Sequence, residues 1–306
     1  MRKARILITG SSGTVGTRLF EKLLEKGYKV VGFDKRKNEW SLSLDKLTIR
    51  GNLLDQRDIK KIPKNFDIIV HLAANARVYD SVVDPTLALE NMLTTYNTLE
   101  FARENKIKKF IFSSSREIYG NREQQKKFEE KEADFHICEG PYAASKVSGE
   151  ALTYAYRNCY GIDYIIFRLS NVYGMYDQSE RFIPLMIRRM RKDQKVYIYG
   201  KDKLLDFTYI DDCIDGIIKG IEKFQRAKNN TFNLAGGKGC KLVDVANLIK
   251  KLLKSKSQII VTEPRTSEVI RYIADISQAK KILGYRPKYS LEKGVRASLD
   301  WYLNQK

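Results

Sequence analysis

Tyr142 and Lys146 stand four residues apart in Pro141-Tyr142-Ala143-Ala144-Ser145-Lys146. That spacing sets both side chains on one face of a helix. A free Tyr, with a pKa of about 10, is a poor base at neutral pH. A Lys ammonium beside it and a nearby helix N-terminus both favour the tyrosinate. Such a Tyr can take a proton from a hydroxyl while hydride leaves the same carbon. Tyr-x-x-x-Lys also recurs by chance, as ordinary helix surface. Ser113-Ser114-Ser115 adds weight, because it places hydroxyls at the end of the preceding apolar strand, at the mouth of the same site.

Hydride chemistry needs an acceptor, and the start of the chain has the residues to hold one. Ile6-Leu7-Ile8 reads as a short buried strand, and Val15, Leu19 and Leu23 carry helical spacing over Thr14 to Lys26. Between them Gly10, Gly13 and Gly16 are spaced G-x-x-G-x-x-G. A strand turning at once into a helix needs Gly for positive φ and close backbone approach. The helix N-terminus so made can hold a pyrophosphate through free N–H groups and its dipole. A second strand, Lys29 to Phe33, ends at Asp34, 18 residues beyond Gly16, where an acid meets adenosine ribose hydroxyls. The turn, with Ser12, Thr14 and Val15, is therefore a dinucleotide site, and Asp34 would repel a 2′-phosphate, favouring NAD. Lys35 and Arg36 are the residues able to accept one.

The elements that position these residues alternate. Strands are expected at Leu47 to Arg50, Asp67 to Leu72, Lys109 to Ser113 and Asp163 to Leu169, with helices near Asp55 to Ile62, from Pro85 to Glu104, and from Pro141. Such alternation predicts an α/β fold, a doubly wound parallel sheet, with ligands beyond the carboxyl ends of the strands. After about Gly174 the elements shorten, which predicts a dinucleotide-binding domain over 1–174 and a smaller α/β substrate-binding lobe over 175–306. Asp206 to Asp212 and Thr231 to Gly236 are candidates to return to the first domain.

The chain of 306 residues is long enough to bury a sizeable core, and 43% hydrophobic with 30% charged residues suits a globular protein. No apolar run approaches the roughly 18 residues of a membrane span. Met1 leads through charged residues into the first strand, leaving no room for a signal peptide, so the expected location is cytoplasmic. Cys138, Cys159, Cys213 and Cys240 form no C-x-x-C pair, and neither a metal site nor a disulfide framework is expected. The net charge of +19 is spread along the chain and mixed with acids, as in Lys126 to Glu132. It reads as solvated surface that steers anionic small molecules rather than as a nucleic-acid face.

An ordered series of segments resembles the extended short-chain dehydrogenase/reductase family, in its nucleotide-sugar epimerase/dehydratase branch. The series runs from the glycine turn and Asp34 through His71-Leu72-Ala73-Ala74 and Ser113-Ser114-Ser115 to Ile118-Tyr119-Gly120. It continues with the Tyr142/Lys146 helix, Phe167-Arg168-Leu169-Ser170-Asn171-Val172-Tyr173-Gly174 and Asp206-Phe207-Thr208-Tyr209-Ile210-Asp211-Asp212. Asn233-Leu234-Ala235-Gly236-Gly237, Arg271 with Ala274-Asp275, and Leu283-Gly284-Tyr285-Arg286-Pro287 complete it.

The resemblance implies a Rossmann fold, NAD, and a UDP-glucose 4-epimerase-like activity on a nucleotide-linked sugar through a 4-keto intermediate. It implies that Ser115 holds the reacting hydroxyl, that Tyr142 is the acid/base, and that Lys146 also holds the nicotinamide ribose. Leu72, Ala73 and Ala74 would line the cofactor, and Asn52 and Leu53 would border the adenine. Asn171 and Arg271 would meet the nucleotide diphosphate. A homodimer through the long helix and the Tyr142 helix is also implied. Three departures stand out. Leu205 precedes Asp206 where the family usually has a phosphate-binding Arg, leaving Lys201 or Lys203 to supply that contact. The Asp-Glu pair of dehydratases is here Arg116-Glu117. Simple 4-epimerases usually carry small or hydroxyl residues at both positions. Epimerisation is the expected outcome. Glu117 keeps open dehydration, decarboxylation or 5-epimerisation, or it is a structural carboxylate paired with Arg116 or a Lys; a catalytically silent NAD-binding relative is the rival from another class.

Overall fold

The computed structural model describes residues 3–122, 126–265 and 268–304. Short runs of branched and aromatic residues become strands, and the polar, glycine-bearing stretches between them become turns. The first half contains β1 (Arg5–Thr9), β2 (Lys29–Asp34), β3 (Thr48–Arg50), β4 (Ile68–His71), β5 (Lys109–Ser115) and β6 (Asp163–Leu169). β7 (Asn171–Tyr173), β8 (Val196–Tyr199), β9 (Leu204–Tyr209), β10 (Asn230–Leu234), β11 (Gly239–Lys241), β12 (Ile259–Thr262) and β13 (Arg271–Tyr272) follow.

β1 to β6 and β10 form one seven-stranded sheet in the order β10-β6-β5-β4-β1-β2-β3. Every pairing in it is parallel, as the alternation of strands and helices requires. Ile6, Leu7, Ile8, Ile69 and Val70 are fully buried, because helices cover both faces of such a sheet. The chain reverses its direction of travel between β1 and β4, and a crevice opens at the carboxyl ends there. This is a Rossmann-type doubly wound fold. β5 runs two residues past the expected Ser113, since Ser114 and Ser115 continue the register with Arg168 and Leu169 of β6.

The second sheet is small, with β9 between β11 and β13 and with β7 also paired to β9. β8 and β12 make a separate two-stranded ladder. Two segments beyond residue 174 attach to the first sheet: β10 pairs with β6, and the helix Ile210–Glu222 is tied to the helix Thr14–Glu25 by an Arg18–Asp211 ion pair of 2.6 Å.

Asp206, on β9, joins the two sheets. Its side chain is fully buried and accepts backbone N–H bonds from Gly236 (2.8 Å), Gly237 (2.9 Å) and Ala274 (3.3 Å). Its carbonyl oxygen accepts from the Ser170 hydroxyl (2.6 Å) and the Asn171 amide (2.8 Å). Burial pushes its carboxyl up to about 7, against the three N–H donors that favour the ionised form. Asp206→Ala should leave three buried donors without an acceptor and cost about 3 kcal/mol or more. Denaturant unfolding of the purified variant measures this; an unchanged midpoint would show that the carboxylate does not hold the sheets together.

Candidate active site

At the glycine turn, Gly10 takes φ +72°, and a Cβ there would sit 2.6 Å from the Ala73 nitrogen. β1 and β4 can therefore come this close only with Gly at position 10. Gly13 differs: its backbone is extended, and a Cβ would meet only the Gly10 oxygen at 3.4 Å and the Arg36 guanidinium at 3.9 Å. The Thr14–Glu25 helix begins here with no side-chain cap, and the buried Ser12 hydroxyl has no hydrogen-bond partner. An uncapped helix end, an orphaned hydroxyl and an open space above Gly13 fit a pyrophosphate. Asp34 is held with one carboxylate oxygen accepting from Ser12 N (2.9 Å) and the other from Arg36 N (2.8 Å). This orientation follows from β2 ending beside the turn.

The turn opens into a cleft of about 1000 Å³. All the sequence-predicted site residues except one line it: Gly10, Ser12, Gly13, Thr14, Val15, Gly16, Asp34, Asn52, Leu53, Leu72, Ala73 and Ala74 along the dinucleotide side, and Ser115, Glu117, Tyr142, Lys146, Asn171 and Lys203 at the other. The exception is Arg271. β13 is a two-residue edge strand whose register sets Arg271 beside Leu204, away from the lining. From the segment before β13 it is Arg265 that lines the cleft, its guanidinium 3.8 Å over the Tyr199 ring.

The helix Pro141–Tyr160 carries Tyr142 and Lys146, both buried. Arg168 of β6 fixes that helix through two bonds to Glu150, Nε–Oε1 at 2.9 Å and Nη2–Oε2 at 2.7 Å. Lys146 Nζ donates to the Ser113 carbonyl at 2.9 Å and lies 5.8 Å from the centre of the Tyr142 ring. Burial lowers the Lys146 pKa to about 8, with Glu150 opposing. Burial raises Tyr142, and the Glu117 charge adds to this; Arg181, the Ser115 side chain and Arg116 pull it back. Arg181 lines the cleft and supplies the first of these opposing effects. It was not singled out from sequence because it belongs to no motif.

β5 ends at Ser115, whose hydroxyl accepts from Glu117 N at 3.2 Å and so caps the 3₁₀ turn Arg116–Tyr119. Strand alternation thus stops before Glu117, and the tighter turn brings its carboxylate to the cleft. Glu117 and Arg116 are both buried and paired at 2.7 Å. Lys203, buried, pairs with Glu268 at 2.6 Å. Lys203 lines the cleft, while Lys201 is exposed and does not. Among the described residues no cluster could hold a metal ion, and no helix is long and apolar enough to cross a membrane. All four cysteines are free.

Comparison with known proteins shows the family and the fold. Residues 6–235 match the NAD dependent epimerase/dehydratase family. The chain is similar to the UDP-glucose 4-epimerase of Thermotoga maritima solved with UDP-glucose, at 28% identity and a TM-score of 0.90, covering 98% of each chain. It is also similar to the UDP-glucuronic acid 4-epimerase of Bacillus cereus solved with UDP-glucuronic acid and NAD, at 29% identity and a TM-score of 0.89, covering 97% of this chain and 98% of that one. The dTDP-glucose 4,6-dehydratase of Salmonella typhimurium is 28% identical over 98% of this chain and 92% of its own length.

The contrast between Gly10 and Gly13 is testable. Gly13→Val should fold normally, its extended backbone tolerating a branched residue, yet fill the space above the helix end and lose dinucleotide binding. Circular dichroism and the nucleotide released on denaturation report the two properties, and a Gly13→Val protein that retains its nucleotide would put the pyrophosphate elsewhere.

Proposed function

The chain belongs to the NAD dependent epimerase/dehydratase family, and we propose that within it the protein is a 4-epimerase of a UDP-linked sugar. The observation that carries this reading is Tyr142, which lines the same cleft as Ser115 and the glycine turn and stands one helical turn from buried Lys146. The glycine turn, with Ser12 and the start of the Thr14–Glu25 helix, would hold NAD, which would supply reversible hydride acceptance at C4 of the sugar. Ser115 holds the C4 hydroxyl by a hydrogen bond. Tyr142 takes its proton and gives it back to the ketone oxygen after the sugar has turned its other face. Burial raises Tyr142, so the tyrosinate must be supported by neighbouring positive charge, which Arg181 and Arg116 provide. Lys146, anchored on the Ser113 carbonyl, would hold the nicotinamide ribose.

Asp34 would select NAD over its 2′-phosphorylated form, since both its oxygens are already fixed by backbone N–H groups and its charge lines the cleft beside the glycine turn, where it would repel a 2′-phosphate. The lobe over 175–306 supplies the nucleotide contacts, with Lys203 and Arg265 as its cations beside Asn171. Leu89, Leu93 and Tyr96 form a stripe on the helix Thr86–Glu104 and are 55%, 43% and 44% exposed. A second copy of the chain covers this stripe in a homodimer. Four free thiols suit a reducing compartment, and we place the protein in the cytoplasm.

Glu117 supports a second reading, because a carboxylate in the lining beside Tyr142 could remove the acidified C5 proton of a 4-keto sugar, as dehydration or 5-epimerisation requires. Simple 4-epimerisation exchanges no carbon-bound hydrogen with water. Turnover in D₂O should therefore give product without deuterium at C5 by NMR and mass spectrometry, and deuterium at C5 would favour the second reading.

Tyr142→Phe should keep the fold and the bound NAD, yet lower turnover by about 10²–10⁴-fold, the usual cost of losing a placed acid/base. Near-normal turnover of this variant would take Tyr142 out of the chemistry.

A further inference from the structure

Arg116 holds two groups of the cleft at once. Its Nη2 pairs with Glu117 Oε1 at 2.7 Å, and its Nε donates to Asn171 Oδ1 at 3.1 Å. Asn171 spends its own N–H on the Asp206 carbonyl at 2.8 Å, so its amide orientation is set from both ends. The guanidinium lies 5.8 Å from the centre of the buried Tyr272 ring, which backs it. Arg116 and Glu117 are only 9% and 5% exposed, so water can replace little of what either gives the other. A Glu117 that took a proton here would leave a buried guanidinium without its counter-charge, and breaking a buried pair is costly.

We propose that Arg116 is the specificity-determining positioning residue of this site: by holding Glu117 as a paired carboxylate, it keeps the keto sugar from losing its C5 proton and confines the reaction to C4. The inference rests on the 4-epimerase reading. Without the pair, Glu117 can take the C5 proton. The C5–H bond breaks, an O–H bond forms on the carboxylate, and the electron pair moves into the C4 oxygen of an enolate. In D₂O the exchanged carboxyl returns a deuteron to C5, so no further reactant is needed.

The test compares wild type, Arg116→Gln, Arg116→Lys and Arg116→Gln/Glu117→Gln, each loaded with NAD and turning over UDP-glucose and UDP-glucuronic acid in D₂O. Relative to C4 interconversion, exchange at C5 should be on the order of 10²-fold higher in Arg116→Gln than the background seen in the wild type. It should fall back to that background in the double variant. Arg116→Lys, whose ammonium cannot span both partners, should show weaker exchange and serves should Arg116→Gln fail to fold. KM should rise in both single variants, as Asn171 loses its brace. C4 interconversion without C5 exchange in both single variants overturns the role of Arg116. Exchange that persists in the double variant overturns the role of Glu117. Absence of C4 interconversion in the wild type on either sugar overturns the 4-epimerase reading itself, and this inference with it.

Discussion

The Asp206 carboxylate is the constraint on which the arrangement of the cleft depends. Three backbone N–H groups, from Gly236, Gly237 and Ala274, end on it, and its carbonyl receives Ser170 and Asn171. The carboxyl end of β10, the link between β6 and β7, and the approach to the helix Ser277–Leu283 are thus gathered on one residue of β9. Buried backbone donors must find acceptors, and here one charged side chain accepts three. Lys203 and Asn171 stand where they do because β9 is pinned at this point to the edge of the seven-stranded sheet.

Around that pin the far end of the cleft is organised by paired charges. Arg116 with Glu117, Lys203 with Glu268, and Arg168 with Glu150 are each within 2.6–2.7 Å. Buried pairs of this kind contribute little net stability, because desolvation offsets attraction, but removing one partner costs about 3–5 kcal/mol. Their effect is therefore on geometry. Arg168 and Glu150 hold the helix that presents Tyr142 and Lys146, and Arg116 holds Glu117 and Asn171. By contrast Arg57 and Asp55 pair in solvent, where such contacts are worth about 0–1 kcal/mol. The net charge of +19 gives a general attraction for anionic ligands, while the paired groups decide orientation within the site.

The dinucleotide side and the sugar side differ in how they are built. The first is mostly backbone: a glycine turn, a helix end and the edge of β4 at Leu72, Ala73 and Ala74. The second is side chains drawn from β5, the Pro141–Tyr160 helix, β7, the residues before β9, and the segment around Arg265. A backbone site tolerates no change of shape at Gly10, where φ is positive and Ala73 lies within contact. A side-chain site can change its chemistry by one substitution while the fold persists.

This difference explains what could be read from sequence. The glycine turn, Asp34, the parallel sheet and the Tyr142/Lys146 face were legible because each follows from local spacing: a turn that excludes Cβ atoms, a strand followed by a helix, a four-residue repeat on one helix face. The Ser115 end of β5 was legible for the same reason. Arg271 could be named from a segment but not placed, since whether it or Arg265 reaches the cleft depends on the register of a two-residue edge strand. Arg181 had no local signal at all. The role of Glu117 was undecided in sequence because strand alternation and a 3₁₀ turn aim it differently, and only the structure shows where the strand stops. Asp206 meets its N–H donors 30, 31 and 68 residues away. Contacts of that separation arise when two sheets pack, so local pattern carries the elements and their motifs, while tertiary packing alone decides which charges face one another in the cleft.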